Sequence, residues 1–264
     1  WEAERNMTQV NSPPSATARG DRIAKWLARS GVTSRRDAER MIAEGRVRLN
    51  GAVVTHPATF VDAADIVQVD QNVVSAPDRT RLWRYHKPDG LVTTHRDPED
   101  RPTVFDSLPP GLPRVISVGR LDLNSEGLLL LTNDGELARR LELPSNGWIR
   151  HYRVRVFGVV DERMLASLAK GSEFEGVRYG PIEAHLDSSR GDNAWLTVSL
   201  REGKNREIRK VMRGLNLHVS RLIRTSYGPF QLGTLSRGEL EEVTGKVIRE
   251  QVPGLVGGKT SRRA

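Results

Sequence analysis

Residues 119–135 read Gly-Arg-Leu-Asp-Leu-Asn-Ser-Glu-Gly-Leu-Leu-Leu-Leu-Thr-Asn-Asp-Gly, and this stretch decides the fold. An apolar run before it (Val115–Val118) and another inside it (Leu128–Thr132) each have the length and composition of a buried strand. The loop between the two predicted strands carries Asp122. Because a strand holds each end of this loop, the Asp122 carboxylate is a candidate nucleophile, a candidate base or a turn-capping acceptor.

Around this stretch, short strands and helices mix without a regular βαβ repeat. Further strands are predicted at Tyr152–Phe157, Trp195–Leu200 and Leu217–Arg224. Helices are predicted to begin at Glu136, after Asp161 with Met164, Leu165 and Leu168 facing inward, and over Lys204–Arg213. We therefore predict an α+β domain over residues 82–250, built on a mainly antiparallel mixed sheet.

A smaller unit precedes it at residues 21–69. Ile23, Trp26 and Leu27 have the spacing of a short amphipathic helix. Ser34 with Asp37 three residues later forms a capping box that begins a second helix. Asn-Gly at 50–51 then predicts a hairpin, so the unit has the order helix, helix, hairpin.

Three other segments have the polar composition that is typical of linkers and chain termini. Residues 1–20 are polar and contain two prolines, so we expect a disordered arm. Residues 70–81 are expected to form a linker, and residues 251–264 a flexible basic tail.

Composition narrows the classes of function. The 264 residues include 41 Lys and Arg against 33 Asp and Glu, a net charge of +8, which favours a polyanionic partner. The absence of Cys excludes disulfides and thiolate sites, and the six scattered His make a metal site unexpected. The longest apolar run, Leu128–Leu131, is far too short to span a membrane, and no secretory signal is recognised, so a cytoplasmic location is expected. Walker and Rossmann glycine motifs are also absent.

The motifs as a set resemble a known family. They occur at residues 86–90 (His-Lys-Pro-Asp-Gly), 97–106 (Asp-Pro-Glu-Asp-Arg-Pro-Thr-Val-Phe-Asp), 119–135, 152–158, 202–210 (Glu-Gly-Lys-Asn-Arg-Glu-Ile-Arg-Lys) and 219–224 (Val-Ser-Arg-Leu-Ile-Arg). In this order they resemble the pseudouridine synthases of the RsuA/RluB branch, and residues 21–69 resemble the S4 RNA-binding domain. The resemblance implies a base-flipping isomerase that converts uridine to pseudouridine in ribosomal RNA, without cofactor or metal.

The resemblance also implies roles, by matching position. The matched residues are Asp122, Tyr152 and Arg209 for catalysis; Arg120, Leu222, Lys204 and Arg206 for substrate binding; and Arg22, Lys25, Arg35, Arg36, Arg40 and Arg46 for RNA binding by the S4-like unit. In the family pattern, Asp122 is the catalytic aspartate and Arg209 is paired with it. Tyr152 stacks on the flipped base, Leu222 lies under that base, and Arg120 fills the gap in the RNA stack. Taken singly, Tyr152 and Leu222 are typical of a core and Arg209 of a basic surface.

The resemblance also implies a substrate, and it leaves alternative functions open. The motifs at 97–106 and 219–224 are more similar to the RluB type, which implies a uridine of 23S RNA near the peptidyl-transferase region, in free RNA or a pre-ribosomal particle. A monomer without membrane contact is expected. The alternatives are a 16S RNA synthase and a non-catalytic ribosome-assembly factor of the S4 type. A glycosidase would need a second acid near Asp122, for which Glu126 and Asp134 are the candidates.

Overall fold

The computed structural model describes residues 20–252, which fall into two compact units divided between Asp78 and Arg79. The predicted N-terminal arm and nearly all of the predicted basic tail lie outside the described residues. Gln251, expected in that tail, instead ends a helix. Within residues 20–252, no helix is long and apolar enough to cross a bilayer.

The small unit has the predicted order of helix, helix and hairpin. Its elements are β1 (Asp21–Arg22), α1 (Ile23–Arg29), α2 (Arg35–Ala43), β2 (Val47–Leu49), β3 (Ala52–Val53), β4 (Phe60–Val61), β5 (Val67–Val69) and β6 (Asn72–Val73). The Ser34 hydroxyl accepts the backbone N–H of Asp37, as the capping box predicts. Ile23, Leu27 and Ala38 are fully buried and join the two helices to the sheet β3-β2-β5-β6.

The predicted linker at 70–81 is shorter than expected, because both of its ends are ordered. Asp70 and Gln71 take positive φ values of 47° and 70° and turn the chain, so that β6 pairs with β5. Two residues other than glycine form this turn, which is why the sequence pattern did not predict a hairpin there. At the other end, the Thr80 hydroxyl donates to the Asp134 carboxylate at 2.6 Å.

The large unit is α+β, as predicted. Its strands are β7 (Leu82–Lys87), β8 (Ile116–Val118), β9 (Glu126–Thr132), β10 (Arg150–Phe157), β11 (Ser172–Phe174), β12 (Val177–Tyr179), β13 (Ile182–Arg190), β14 (Asn193–Leu200), β15 (His218–Tyr227), β16 (Phe230–Gln231) and β17 (Leu240–Val243). Its helices are α3 (Gly135–Glu142), α4 (Glu162–Ser167), α5 (Glu207–Gly214) and α6 (Gly245–Gln251). Met164, predicted to face inward, is 41% exposed, whereas Leu165 and Leu168 are buried.

A nine-stranded mixed sheet organises this unit, in the order β13-β14-β10-β15-β9-β7-β17, with β16 on β15 and β8 on β9. The pairs are antiparallel except β15 with β9, where Arg224 lies opposite Gly127. Gly127 has φ +102°, and a Cβ there would collide with the Arg224 backbone. Glycine is therefore required at 127 to join the strand that follows Asp122 to the strand that carries Leu222.

Helices α4 and α5 cover one face of β13, β14, β10 and β15. Alternate residues of these strands, such as Val154, Leu196 and Leu222, pack there with Ile208 and Val211 of α5. This alternation is the period-two pattern that the sequence showed at 152–157 and 195–200. The same face, near the ends of β10 and β15, contributes one wall of the cavity described next.

Candidate active site

The loop that carries Asp122 is fixed by side chains from several elements. The backbone N–H of Gly119 donates to Glu142 of α3 at 2.6 Å, and the Thr93 hydroxyl donates to the Leu121 carbonyl at 2.8 Å. Leu121 itself is buried in a core cluster. The Asp122 carbonyl accepts the N–H of Ser125 at 3.0 Å and closes a turn, while its carboxylate remains about one third exposed. Asp122 therefore presents its carboxylate from a rigid turn.

Lys87, at the end of β7, binds the same loop through hydrogen bonds to its backbone. Its side chain is fully buried, and its ammonium donates to the carbonyl oxygens of Pro88, Leu123 and Ser125 at 2.9, 3.3 and 2.8 Å. Burial lowers the pKa of Lys87 to about 8, partly offset by nearby carboxylates that include Asp122. The sequence motif at 86–90 contained this lysine, but its contacts with the loop were not predicted.

A cavity of about 370 Å³ opens beside Asp122. It is lined by six of the seven predicted catalytic and substrate-binding residues: Arg120, Asp122, Tyr152, Lys204, Arg206 and Leu222. Tyr152 is 9% and Leu222 6% exposed, so an aromatic and an aliphatic side chain form an apolar wall opposite the charged groups. Such a wall next to a fixed carboxylate suits a planar, largely apolar ligand.

Arg209 is the predicted residue that does not line this cavity. Its guanidinium donates to the carbonyl oxygens of Asn124 at 2.7 Å and Val219 at 3.1 Å. Burial lowers the pKa of Arg209, the positive charge of Arg206 adds to that effect, and the nearby Asp122 charge opposes it. In contrast to the expected pairing, Arg209 forms no ion pair with Asp122 within 4 Å among the described residues and instead binds the backbone of the Asp122 loop.

Arg206 is the cation that pairs with Asp122. Its Nη1 lies 3.8 Å from Asp122 Oδ2. Arg206 precedes α5 with φ +51°, a left-handed conformation that is costly for a residue other than glycine. Helix α5 consequently begins at Glu207, three residues later than the predicted helix over Lys204–Arg213.

Two carboxyl groups brace the segment that contains Arg206. Glu207 is buried, accepts the backbone N–H of Lys204 at 2.8 Å, and lies beside Glu202. Burial, with the neighbouring Glu202 charge, raises the pKa of Glu207 to about 7. Glu202 forms an ion pair with Lys204 at 2.8 Å and accepts the N–H of Gly180. Lys204 is therefore partly neutralised at the rim of the cavity.

The cavity also contains residues that the sequence did not single out. They are Ser125, Glu142, Arg150, Glu207, Arg224 and Tyr227. Arg150 and Arg224 both lie over the Tyr227 ring, 5.0 and 5.1 Å from its centroid. The motif at 219–224 contained Arg224, but nothing in the sequence placed Arg150 near it. The lining thus contains two arginines and two carboxyl groups beyond the residues that were predicted.

The candidate second acids of a glycosidase are engaged elsewhere. Glu126 is buried between Arg221 at 2.6 Å and Arg237 at 2.7 Å. Asp134 accepts the N–H of Glu136 and caps α3. Neither carboxylate lines the cavity, so the two acids considered for a paired-acid mechanism are not placed beside Asp122. Among residues 20–252, no group of His, Asp and Glu is arranged to hold a metal ion.

The basic residues of the small unit divide into two groups. Lys25 pairs with Asp21 at 2.9 Å, Arg40 with Asp37 at 3.0 Å, and Arg46 with Asp70 at 2.6 Å. Arg22, Arg35 and Arg36 are exposed and have no carboxylate within 4 Å in the described part of the chain. The start of α2 thus holds two adjacent cations with their hydrogen-bond donors available.

Known proteins share this architecture. The sequence model of the RNA pseudouridylate synthase family matches residues 81–213, and that of the S4 domain matches residues 21–77. A protein of Rickettsia bellii (strain RML369-C) named as an uncharacterized RNA pseudouridine synthase is 50% identical over 228 residues, 86% of this chain and 99% of the relative. Ribosomal large subunit pseudouridine synthase B of Pasteurella multocida (strain Pm70) is 44% identical over 235 residues, 85% of this chain and 67% of the relative.

A solved structure agrees with both matches. The crystal structure of a pseudouridylate synthase superposes with a TM-score of 0.60 at 25% identity, covering 88% of this chain and 99% of the other. The two family models together match residues in both units, and the match to the synthase family includes the loop of Asp122 and the start of α5. The chain belongs to the RNA pseudouridylate synthase family and carries an S4 domain ahead of its synthase domain.

Proposed function

We propose that this protein isomerises a specific uridine of large-subunit (23S) ribosomal RNA to pseudouridine in the cytoplasm, acting as a monomer. One observation carries the proposal: Asp122 stands on a fixed turn beside an apolar wall of Tyr152 and Leu222, in a cavity whose lining includes several arginines and Lys204. The relatives named ribosomal large subunit pseudouridine synthase B support the choice of RNA.

The chemistry fits this cavity. The N1–C1′ bond of the uridine breaks, the uracil turns, and C5 bonds to C1′; the C5 proton then leaves and N1 gains one, so the atoms balance. Asp122 acts at this centre by attack on C1′, by attack on C6, or by removing a sugar proton. Tyr152 stacks on the flipped uracil and assists the loss of the C5 proton, and Leu222 supports the other side of the base.

The cations bind and position the RNA. Arg206 forms an ion pair with Asp122 and, with Lys204, contacts the backbone of the flipped nucleotide. Arg120 enters the gap that the flipped base leaves in the stack. Arg209 is a positioning residue, since it fixes the loop through the Asn124 carbonyl.

The S4 domain adds phosphate contacts. Its candidate residues remain Arg22, Lys25, Arg35, Arg36, Arg40 and Arg46. Of these, Arg22, Arg35 and Arg36 are best placed to contact phosphates, because their charges are unpaired within the small unit. Such contacts raise affinity without reading sequence.

The test is tritium release from 23S and 16S transcripts that contain [5-³H]uridine, and from unmodified subunit particles of each kind. Release from 23S RNA or its particles is expected. Release from 16S RNA alone would keep the reaction and favour the small-subunit alternative. No tritium release from any of these substrates would favour a non-catalytic assembly factor.

A further inference from the structure

One face of β13, β14, β10 and β15 is open to solvent. Along β10, Val154 and Val156 point into the core under α4 and α5, whereas Arg153, Arg155 and Phe157 are exposed on the opposite side. Tyr152 and Leu222, which line the candidate active site, belong to the core side. The open face is therefore separate from the catalytic cavity.

The register of the strands gathers charge and aromatic rings on this face. Directly opposed residues of neighbouring strands share a face, so Trp195, Arg155 and Arg221 form one row across three strands. The next row contains Arg190, Asn193, Phe157 and His218. We call Arg153, Arg155, Arg190, Arg221, Trp195 and Phe157 the Arg–Trp face.

The arginines of this face are arranged for a ligand outside the protein. Arg153 lies over the Trp195 ring with its Cζ 4.8 Å from the ring centroid, and Arg221 lies 6.0 Å from it. A guanidinium stacked on an aromatic ring keeps its N–H donors directed sideways and available for phosphate. Two rings and several cations on an open sheet match the chemistry of a nucleic-acid strand.

Like charges also oppose each other here. Arg155 and Arg221 are direct cross-strand neighbours, and like charges in this arrangement repel each other. Arg221 is bound to Glu126, but Arg153 and Arg155 have no carboxylate within 4 Å among the described residues. The acids on the face, Glu183 and Asp187, belong to the outer strand β13, and Asp187 accepts the Thr197 hydroxyl.

We propose that the Arg–Trp face binds a single-stranded segment of RNA, with phosphates on Arg153 and Arg155 and a base stacked on the exposed ring of Phe157. Positive charge with interleaved aromatic rings is the pattern that single-stranded RNA requires. The inference rests on the proposed function only in that RNA is the ligand. It adds a second contact, distant from the flipped uridine.

The test compares two double variants of the full chain that lose the same charge. Arg153→Gln with Arg155→Gln removes the two cations of the face, and Arg163→Gln with Lys170→Gln removes two exposed cations on the α4 side. The probe is a fluorescent 20-nucleotide single-stranded RNA without uridine, so that the catalytic cavity has no substrate base. Anisotropy gives the Kd at several salt concentrations.

The face variant is expected to weaken binding about tenfold and to reduce the slope of log Kd against log salt by about 1.4, the value for two phosphate contacts on a single strand. The control variant is expected to stay within about twofold of wild type. Equal affinities of the face variant and the wild type, or equal losses in both variants, would overturn the proposal. Stronger competition by polyglutamate than by unlabelled RNA would point instead to an acidic protein and would also overturn it.

Measurements of kcat and KM distinguish a failure of this proposal from a failure of the proposed function. On a minimal stem–loop the face variant is expected to keep the wild-type kcat and KM, and on a substrate with single-stranded flanks it is expected to raise KM alone. Loss of kcat on the stem–loop would contradict a role outside the catalytic cavity. Failure of the wild type on every RNA would refute the proposed function, while the binding arm would still decide the inference.

Discussion

The buried Lys87 ammonium donates a hydrogen bond to the Ser125 carbonyl oxygen at 2.8 Å, three residues beyond Asp122. Its other donors bind the Pro88 and Leu123 carbonyls, so one side chain ties the segment that follows Asp122 to the end of β7. Because the ammonium is fully buried, no water replaces it when it is removed. The orientation of the Asp122 carboxylate thus depends on a lysine that does not line the cavity.

Replacing this lysine is expected to cost both stability and turnover. Lys87→Met removes three hydrogen bonds to backbone carbonyls and leaves the buried Ser125 carbonyl without the ammonium donor, so we expect the free energy of unfolding in urea to fall by about 3 kcal/mol. The kcat for RNA should fall more than KM changes, because the loop loses its support. Lys170→Met, at an exposed position shortly after α4, is the control and should change neither quantity. A stable, fully active Lys87→Met protein would contradict this role.

The two arginines near Asp122 are expected to differ in kinetics. Arg209→Met removes two hydrogen bonds to the Asp122 loop and Val219, and kcat should fall about tenfold. Arg206→Met removes the cation beside Asp122 and its phosphate contact, so KM should rise as well. Arg213→Met, exposed on the same helix, should behave as wild type. Single-turnover rates and RNA affinities distinguish these cases; identical effects of Arg209→Met and Arg213→Met would refute the positioning role.

The Glu207 carboxyl predicts a pH dependence of stability. Its pKa is raised from 4.5 to about 7 in the folded protein, chiefly by burial. Folding therefore takes up a proton between these values, and the stability contributed by protonated Glu207 is lost as pH rises through about 7. Relative to Glu207→Gln, the wild type should lose on the order of 2 kcal/mol between pH 4.5 and 8. Urea unfolding across this range measures the difference, with Glu162→Gln as control; a difference that does not change with pH would contradict the account.

Gly127 is expected to tolerate no side chain. Gly127→Ala forces a Cβ against the Arg224 backbone where β9 meets β15, so a loss of roughly 3 kcal/mol in unfolding free energy is predicted. Gly111→Ala also has a positive φ, +87°, but has open space around it. It should cost only about 1 kcal/mol. Equal losses would show that the close approach of the two strands is unimportant.

Local signals accounted for much of the fold. The capping box at Ser34, the Asn-Gly turn at 50–51 and the alternation at 152–157 each act over a few residues, and the structure confirms all three elements. The turn at 70–71 was missed because Asp and Gln there adopt a conformation that usually needs Asn or Gly. Local pattern thus identified elements wherever the residues involved were neighbours in the chain.

The candidate site was predicted less completely, because its pairings are long-range. The motifs identified six residues that line the cavity, but no pattern indicated that Arg209 would bind Asn124, 85 residues earlier in the chain. Arg150 was missed for the same reason, since its place beside Tyr227 depends on strand pairing. Glu207 stood within a motif, yet its raised pKa results from burial that only the packed structure defines.

The central claim is that the Asp122 carboxylate performs the chemistry, and Asp122→Asn tests it most directly. The substitution preserves shape and removes the charge, so RNA binding should stay within about threefold of wild type. Single-turnover tritium release from [5-³H]uridine-labelled 23S RNA is the measurement. We predict no release above background from Asp122→Asn under conditions where the wild type goes to completion. Release by Asp122→Asn at the wild-type rate would contradict the account.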